Sequence, residues 1–131
     1  MSRTNFENLE VYQKAEELAD AVWHVVARWD SFAKYTVGKQ LVRAADSISA
    51  NIAEGDGRGT AKERAYFFKV ARGSLYETKN WLRRAHRRGL LSDEQIAGIK
   101  PLLDALPKML NAYLRKLRLG STSPKTHSER Q

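Results

Sequence analysis

Apolar residues recur every three or four positions along most of the chain, which is the spacing that places them on one face of an α-helix. Short polar or glycine-rich stretches interrupt this repeat near Ser31, Gly57 and Gly89. The pattern predicts four amphipathic helices joined by short turns, and hence an all-α, up-and-down antiparallel four-helix bundle. We expect one bundle domain over residues 1–118, followed by a disordered polar tail over residues 119–131.

The first helix is predicted to begin after Asn5 or Asn8, since either asparagine can cap it, and to end within residues 29–32. Its apolar stripe consists of Val11, Ala15, Leu18, Val22, Val25 and Trp29, widened on one side by Tyr12, Ala19 and Trp23. A stripe of this width predicts that the helix contacts two neighbouring helices.

The second helix is predicted over residues 36–54. Its core stripe at helical spacing comprises Val37, Leu41, Ala44, Ala45, Ile48 and Ile52. Small residues flank this stripe, so a neighbouring helix or subunit can approach closely. Four polar residues are interpreted as side chains whose hydrogen bonds fix the register of the helix, namely Gln40, Arg43, Asn51 and Glu54.

Glycines predict a turn over residues 55–59. Because they follow a helix and not a strand, they do not make a phosphate-binding loop. We expect Gly55 to end the second helix in the left-handed conformation open to glycine. Thr60 and Glu63 have the spacing of a capping box, which predicts a third helix from Ala61 to Arg88.

The third helix combines an apolar half with a basic stripe. Its inner half is predicted to contain Phe67, Val70, Ala71, Ser74, Thr78, Trp81, Leu82 and Ala85. The basic stripe is predicted on the opposite side, around Tyr76, and consists of Lys62, Lys69, Arg72, Lys79, Arg83 and Arg87. Like charges three or four residues apart repel unless something anionic neutralises them, so this stripe is the best candidate for a binding surface.

The fourth helix is predicted to follow a turn at Gly89, with Ser92 and Gln95 at capping-box spacing. Its apolar stripe consists of Ile96, Ile99, Leu103, Leu106, Leu110, Leu114 and Leu117. Pro101 and Pro107 lie inside this pattern, and each removes a backbone donor. We therefore expect a kink or break near Lys100 and a second irregularity near Leu106.

The net charge of +8 is unevenly distributed along the chain. Residues 1–60 contain 7 Lys and Arg and 9 Asp and Glu, whereas residues 61–131 contain 16 and 6. This polarity indicates an anionic partner, either nucleic acid or an acidic protein face, although a solvated surface has the same composition.

Three further observations narrow the class of protein. The chain has no cysteine, so a disulfide framework and a thiolate metal site are both excluded. Its first ten residues do not form a signal peptide, and no apolar run reaches the length of a membrane span. We expect a cytoplasmic protein without contact to a membrane.

A motif in the second and third helices carries a resemblance to a known family. It consists of Gln40, Leu41, Arg43, Ala44, Ala45, Ser47, Ile48, Asn51, Ile52, Ala53, Glu54, Gly55, Gly57 and Arg58, followed by Ala71, Ser74, Leu75 and Glu77. With this motif the chain resembles, over residues 6–118, the four-helix-bundle proteins encoded in intervening sequences of bacterial 23S ribosomal RNA genes.

The resemblance implies a ring-like homopentamer with a basic surface, associated with nucleic acid and without an assigned catalytic activity. Structural relatives of that family include the accessory proteins of diversity-generating retroelements, which associate with a reverse transcriptase and with nucleic acid.

Two binding functions therefore remain open. In the first, an oligomer binds RNA or DNA backbone through Lys62, Lys69, Arg72, Tyr76, Lys79, Arg83, Arg84, Arg87 and Arg88. In the second, the same stripe of a protein-interaction scaffold docks an acidic partner, such as a reverse-transcriptase-type enzyme.

An enzyme is the least favoured class. A di-iron bundle needs Glu-x-x-His pairs, and neither His24 nor His86 has an acidic residue three positions before it. No plausible Ser/His/Asp arrangement is present either. We expect no catalytic residues, no metal and no cofactor.

Overall fold

Four long helices make up most of the part of the chain that the structure describes, as the sequence pattern predicts. The structure, a computed structural model, describes residues 5–122. The helices are α1 (Glu10–Val26), α2 (Lys39–Asp56), α3 (Ala61–Arg87) and α4 (Asp93–Thr122). Each helix packs on the next one along the chain, and α1 also contacts α4, which closes the bundle. No strand occurs over residues 5–122, so the all-α prediction is confirmed.

The core lies between the inward stripes of the four helices. All six predicted core residues of the second helix are buried, from Val37 to Ile52. The largest fully buried side chains come from every helix and include Leu18, Leu41, Ile48, Ile52, Phe68, Leu75, Leu106 and Leu110. The periodicity argument is therefore confirmed for α2. None of the described helices is long and apolar enough to span a membrane.

The first helix differs from the prediction at both ends. A 3-10 turn occupies Phe6–Asn8, and α1 then begins after Leu9, whose extended backbone separates the two elements. Neither predicted asparagine caps α1 with its side chain. Instead, the Gln13 side-chain amide donates to the Glu7 carbonyl over 2.9 Å and ties the turn to the helix.

Burial along α1 also departs from the predicted stripe. Val26 is buried, whereas Val25 and Trp29 are only half-buried and Trp23 is 58% exposed. The helix ends at Val26, and the Trp29 indole then donates to the Leu90 carbonyl over 3.0 Å. The predicted inward position of Trp23 is wrong.

The helical path into α2 starts earlier than predicted. Asp30 caps it by accepting a hydrogen bond from the Ala33 amide over 3.0 Å, so the chain is already helical at Ser31–Ala33. A π-helical turn, Lys34–Gly38, follows and leads directly into Lys39. The predicted start of the second helix, residue 36, thus lies inside the helical segment, because the capping residue is Asp30.

Gly55 does not terminate α2 in the left-handed conformation. The helix continues through it to Asp56, and the Gly57 cap has an ordinary φ of −84°. Gly55 is buried, and a Cβ there would lie 2.9 Å from atoms of Phe67 and Phe68. The glycine is therefore explained by close helix packing and not by a turn.

The buried side of α3 is rotated from its predicted position. Phe68 and Leu75 are fully buried, while Phe67 is half-buried and Val70 is exposed. Apolar residues surround α3 at its start, so spacing alone does not fix the inner face. The packing of both α2 and α4 on α3 decides it.

The turn between α3 and α4 has the predicted chemistry. Gly89 has a φ of 77°, and the Leu90 amide donates to the Ala85 carbonyl over 2.9 Å, which completes a Schellman-type end. Ser92 and Gln95 exchange reciprocal side-chain-to-amide hydrogen bonds of 3.0 Å. Both the glycine stop and the second capping box are confirmed.

The break predicted in the fourth helix is wrong. Helix α4 continues through Pro101 and Pro107 and reaches Thr122, so residues 119–122 are helical and not part of a disordered tail. Each proline removes one amide donor, but fully buried Leu106 and Leu110 hold the surrounding turns against the core. Residues 123–131, the rest of the predicted tail, lie outside the described residues.

Candidate nucleic-acid interface

The basic stripe of α3 borders α4 and does not lie directly opposite the core. Arg72 is half-buried and donates through Nη1 to Asn111 Oδ1 of α4 over 2.8 Å. Lys79, two turns further on, is also half-buried, whereas Lys62 and Lys69 are exposed. The predicted stripe thus forms one edge of the α3–α4 contact.

A groove of about 680 Å³ follows this edge. On the α3 side it is lined by Lys62, Lys69 and Arg72, and on the α4 side by Arg115 and Arg118. We call this feature the basic groove. Its remaining lining is uncharged and consists of Ala61, Ala65, Asn111, Leu114 and Leu117. Five cations therefore surround an apolar floor, and no carboxylate is among the lining residues.

The α4 side of the basic groove was missed by sequence reasoning. The residues 114–118 read Leu-Arg-Lys-Leu-Arg, in which Leu114 and Leu117 continue the apolar stripe between basic residues. Those two leucines are only half-buried and provide the floor of the groove. The signal was present, but only the packing of α4 on α3 shows which of these cations face the stripe.

The remaining predicted cations lie at the far end of α3. Arg83 and Arg87 continue the stripe. Arg84 and Arg88 follow them directly in sequence and are therefore rotated about 100° from the stripe around the helix axis. All four are exposed, as is Tyr76 between the two ends of the stripe. About 22 Å of helix separates Arg72 from Arg87. The predicted set therefore divides into the basic groove and an arginine cluster at the α3 C-terminus.

Few acidic groups neutralise this surface. The ion pairs among the described residues include Lys14–Glu17, Glu54–Arg58, His86–Asp93 and Lys100–Asp104. None involves a lysine or arginine of the stripe. In the His86–Asp93 pair, Nε2 lies 2.7 Å from Oδ1. This pair lies beside the arginine cluster and not in the basic groove. Mutual repulsion therefore persists along the stripe until an anion binds.

The described residues offer no metal centre. No group of three or more His, Asp or Glu side chains within residues 5–122 is placed to hold a metal ion.

Comparison with known proteins identifies the family. A family model described as 23S rRNA-intervening sequence protein matches residues 7–112. The chain belongs to this family. No curated protein matches the chain.

A crystal structure shows the same fold at low sequence identity. The chain is similar to a protein of unknown function from the S23 ribosomal protein family of Bacteroides thetaiotaomicron, with a TM-score of 0.71 and 23% identity. The match covers 79% of this chain and 97% of that protein.

The family match ends at residue 112, before Arg115 and Arg118. The α3 side of the basic groove therefore lies inside the matched region and the α4 cations lie beyond it.

The motif that carried the family resemblance joins α2 to α3. Ser47 and Ser74 are 2.9 Å apart between their hydroxyl oxygens, and the Asn51 side-chain amide donates to the Ser47 carbonyl over 2.8 Å. Thr78 in turn donates to the Ser74 carbonyl over 2.8 Å. Only the Ser47–Ser74 contact joins the two helices. The hydrogen bonds of Asn51 and Thr78 each lie within one helix.

The second part of the motif builds the α2–α3 turn. Arg58 pairs with Glu54, and its guanidinium lies 4.7 Å above the centre of the Phe67 ring. The Arg64 side chain donates to the Arg58 carbonyl over 2.8 Å, and Gly57 caps α2. The turn is thus held by internal partners, which favours a structural role for this part of the family motif.

Three residues of the motif make only a long side-chain hydrogen bond or none. Gln40 and Arg43 form no side-chain hydrogen bond with any described residue, so the interpretation that they fix helix register is not supported. Glu77 is exposed and accepts only a long hydrogen bond, 3.5 Å, from the Trp81 indole.

Aromatic packing joins the same turn to α4. The Phe68 and Tyr113 rings are stacked, with centroids 4.1 Å apart and planes 4° from parallel. Burial raises the pKa of the Tyr113 hydroxyl, and the nearby Asp56 carboxylate raises that pKa further, while Arg64 opposes the shift. The side chains of Tyr113, Asp56 and Arg64 thus lie close enough to interact with one another.

Proposed function

We propose that this protein is a non-catalytic, oligomeric helical bundle that binds the sugar–phosphate backbone of nucleic acid through its basic groove. The observation that carries the proposal is a groove with cations on both sides and no carboxylate in its lining. Phosphate groups are the common biological anions that repeat along a chain, and lysine and arginine bind them readily.

The arrangement supports backbone binding without base reading. Lys62 to Arg87 span about 37 Å of helix, close to one turn of a nucleic-acid duplex. Phosphate contacts position a duplex but carry no sequence information. The expected binding is therefore sensitive to salt and nearly independent of sequence, and the arginine cluster extends it along α3.

The family resemblance supports a ring-like assembly, for which we propose a homopentamer. Each copy would then present one basic groove, and several weak grooves that bind one nucleic acid act together through a high effective concentration. Light scattering measures the number of protomers directly, and a monomer would remove this part of the proposal.

An acidic protein partner is the alternative ligand of the same groove. The apolar floor at Leu114 and Leu117 favours it, because an acidic amphipathic segment could bury apolar side chains there. Binding of purified nucleic acid in the absence of any protein distinguishes the two ligands.

The test is fluorescence anisotropy with a labelled structured RNA and a labelled duplex DNA. The variant Lys62→Glu/Lys69→Glu/Arg115→Glu reverses three groove charges that have no internal partner. We expect its affinity for both probes to fall more than about 100-fold at low salt, since several phosphate contacts are lost together. An affinity equal to that of the wild type would remove the basic groove as the binding surface.

A matched control separates the groove from net charge. Arg28→Glu/Lys39→Glu/Arg43→Glu also reverses three exposed cations, on the α1–α2 side, so both variants change the net charge from +8 to +2. We expect the control to bind nearly as the wild type. Equal losses in the two variants would instead indicate a non-specific response to total charge.

A further inference from the structure

We infer that a second groove, between α1 and the start of α2, binds an acidic amphipathic helix of a partner protein. This aromatic groove has a volume of about 580 Å³ and lies between the last turns of α1 and the segment from the π turn to Arg43. It is separate from the basic groove, because α1 and α2 form the side of the bundle opposite to α3 and α4.

Exposed aromatic rings mark this surface. Trp23 is 58% exposed and Tyr35 is 75% exposed, and both line the groove. Phe32, on the same segment, is 80% exposed. Neither the Trp23 indole nor the Tyr35 hydroxyl forms a hydrogen bond with any described residue. Exposed tryptophan and tyrosine side chains that line one groove are typical of protein-interaction sites, where these residues act as anchors.

The π turn produces the shape of the groove. Its extra residue leaves Tyr35 directed outward while Val37 and Gly38 are buried against the core. A Cβ on Gly38 would lie 2.7 Å from Val26 Cγ1, so the glycine allows the π turn to approach α1 closely. Such π turns occur frequently at functional sites.

Charge identifies the chemistry of the partner. Lys34, Lys39 and Arg43 line the aromatic groove, no acidic residue does, and none of the three forms an ion pair with a described residue. The floor is aliphatic and includes Val26 and Val42. A helix with aliphatic or aromatic side chains on one face and carboxylates beside them is complementary to both features.

Carboxylates further along α1 and α2 argue against a nucleic-acid strand at this surface. Asp20 precedes Trp23 by about one turn, and Asp46 follows Arg43 by about one turn. Burial raises the pKa of Asp46, and the negative charge of Asp20 nearby raises that pKa further. A phosphate chain that followed the groove would meet two carboxylates, whereas a peptide with acidic residues at one end only would not.

The probe for this inference is a labelled synthetic peptide, about four helical turns long, with Leu and Phe on one face and Glu beside them at one end only. Two matched peptides carry Lys in place of Glu, or Ala in place of Leu and Phe. We expect only the first peptide to bind at physiological salt. Binding should weaken at least tenfold in Trp23→Ala and in Lys39→Glu/Arg43→Glu.

Two controls locate the effect. Tyr76→Ala removes a comparably exposed ring, and Lys62→Glu/Lys69→Glu reverses two cations, both on the other side of the bundle. We expect unchanged peptide binding in both. The charge variant keeps the test decisive if Trp23→Ala lowers stability.

Four results would overturn the inference. They are no binding of the acidic peptide, equal binding of the Lys peptide, binding of a single-stranded RNA oligonucleotide that Trp23→Ala abolishes, and a lower assembly mass of Trp23→Ala by light scattering. The third result would assign the groove to nucleic acid, and the fourth to a second copy of this chain. Because the variants differ from those of the basic groove, either function can fail while the other stands.

Discussion

The two flanks of α3 use polar side chains in opposite ways. Toward α2, Ser74 meets Ser47, and Thr78 donates back to the Ser74 carbonyl, so polar groups find partners inside the protein. Toward α4, Lys62 and Lys69 face a groove without a carboxylate. One helix therefore carries a flank with internal polar partners and a flank on which we propose that an outside ligand binds.

This difference distinguishes polar groups that stabilise the fold from charged groups that are available for binding. A buried polar group with an internal partner contributes to stability and fixes one register. A stripe of like charges without ion-pair partners weakens the isolated protein slightly, and the proposed binding function accounts for this cost. The following predictions test this division, from the largest expected effect to the smallest.

Phe68→Ala should cause the largest loss of stability. Its side chain is fully buried and stacks on Tyr113, so truncation should lower the free energy of unfolding by about 3–5 kcal/mol. Phe67→Ala is the matched control, and half-buried Phe67 should cost clearly less. Urea denaturation of both variants gives the comparison, and equal losses would contradict the observed orientation of α3.

Gly55→Ala should destabilise the α2–α3 contact by about 1–3 kcal/mol. The added Cβ would lie 2.9 Å from Phe67 Cβ and Phe68 Cδ1, so the two helices must separate. Gly73→Ala, on the exposed face of α3, meets no atom within 4 Å and serves as the control. A stabilised Gly55→Ala protein would show that the glycine serves the turn and not the packing.

The Ser47–Ser74 pair should show coupled effects of about 1 kcal/mol. Removing one hydroxyl leaves the other without this partner, whereas removing both costs less than the two single changes together. Thermal unfolding of Ser47→Ala, Ser74→Ala and the double variant measures the coupling. Strict additivity would mean that the contact does not join the helices energetically.

Changes in the basic groove should have the smallest effect on stability. Lys69→Gln removes an exposed charge without an internal partner, and we expect unfolding free energy within about 0.5 kcal/mol of the wild type. Thermal melting is sufficient to check this. A large loss would place Lys69 among the residues that hold the fold.

Sequence patterns were sufficient to predict the features that depend on local sequence. The stripe of α2, the Gly89 stop and the Ser92 capping box each follow from residues within a few positions of one another. Their chemistry is completed inside one helix or one turn, which explains why the sequence predicts them correctly.

Features that depend on a neighbouring helix were not predictable in this way. Gly55 reads as a helix stop until Phe68 is seen packed against it. Pro101 reads as a break until buried Ile99 and Leu106 on either side of it are placed in the core. Likewise, the sequence shows basic residues at 114–118, but Arg115 becomes part of the candidate site only when α4 lies beside α3.

The most direct test of the central claim is the salt dependence of duplex binding. With five groove cations engaged, a plot of log affinity against log salt should have a slope of about −4 to −5. Lys62→Glu/Lys69→Glu/Arg115→Glu should reduce the slope to about −2, while Arg28→Glu/Lys39→Glu/Arg43→Glu should retain the wild-type value. Equal slopes for all three proteins, or no binding at low salt, would contradict a nucleic-acid-binding role for the basic groove.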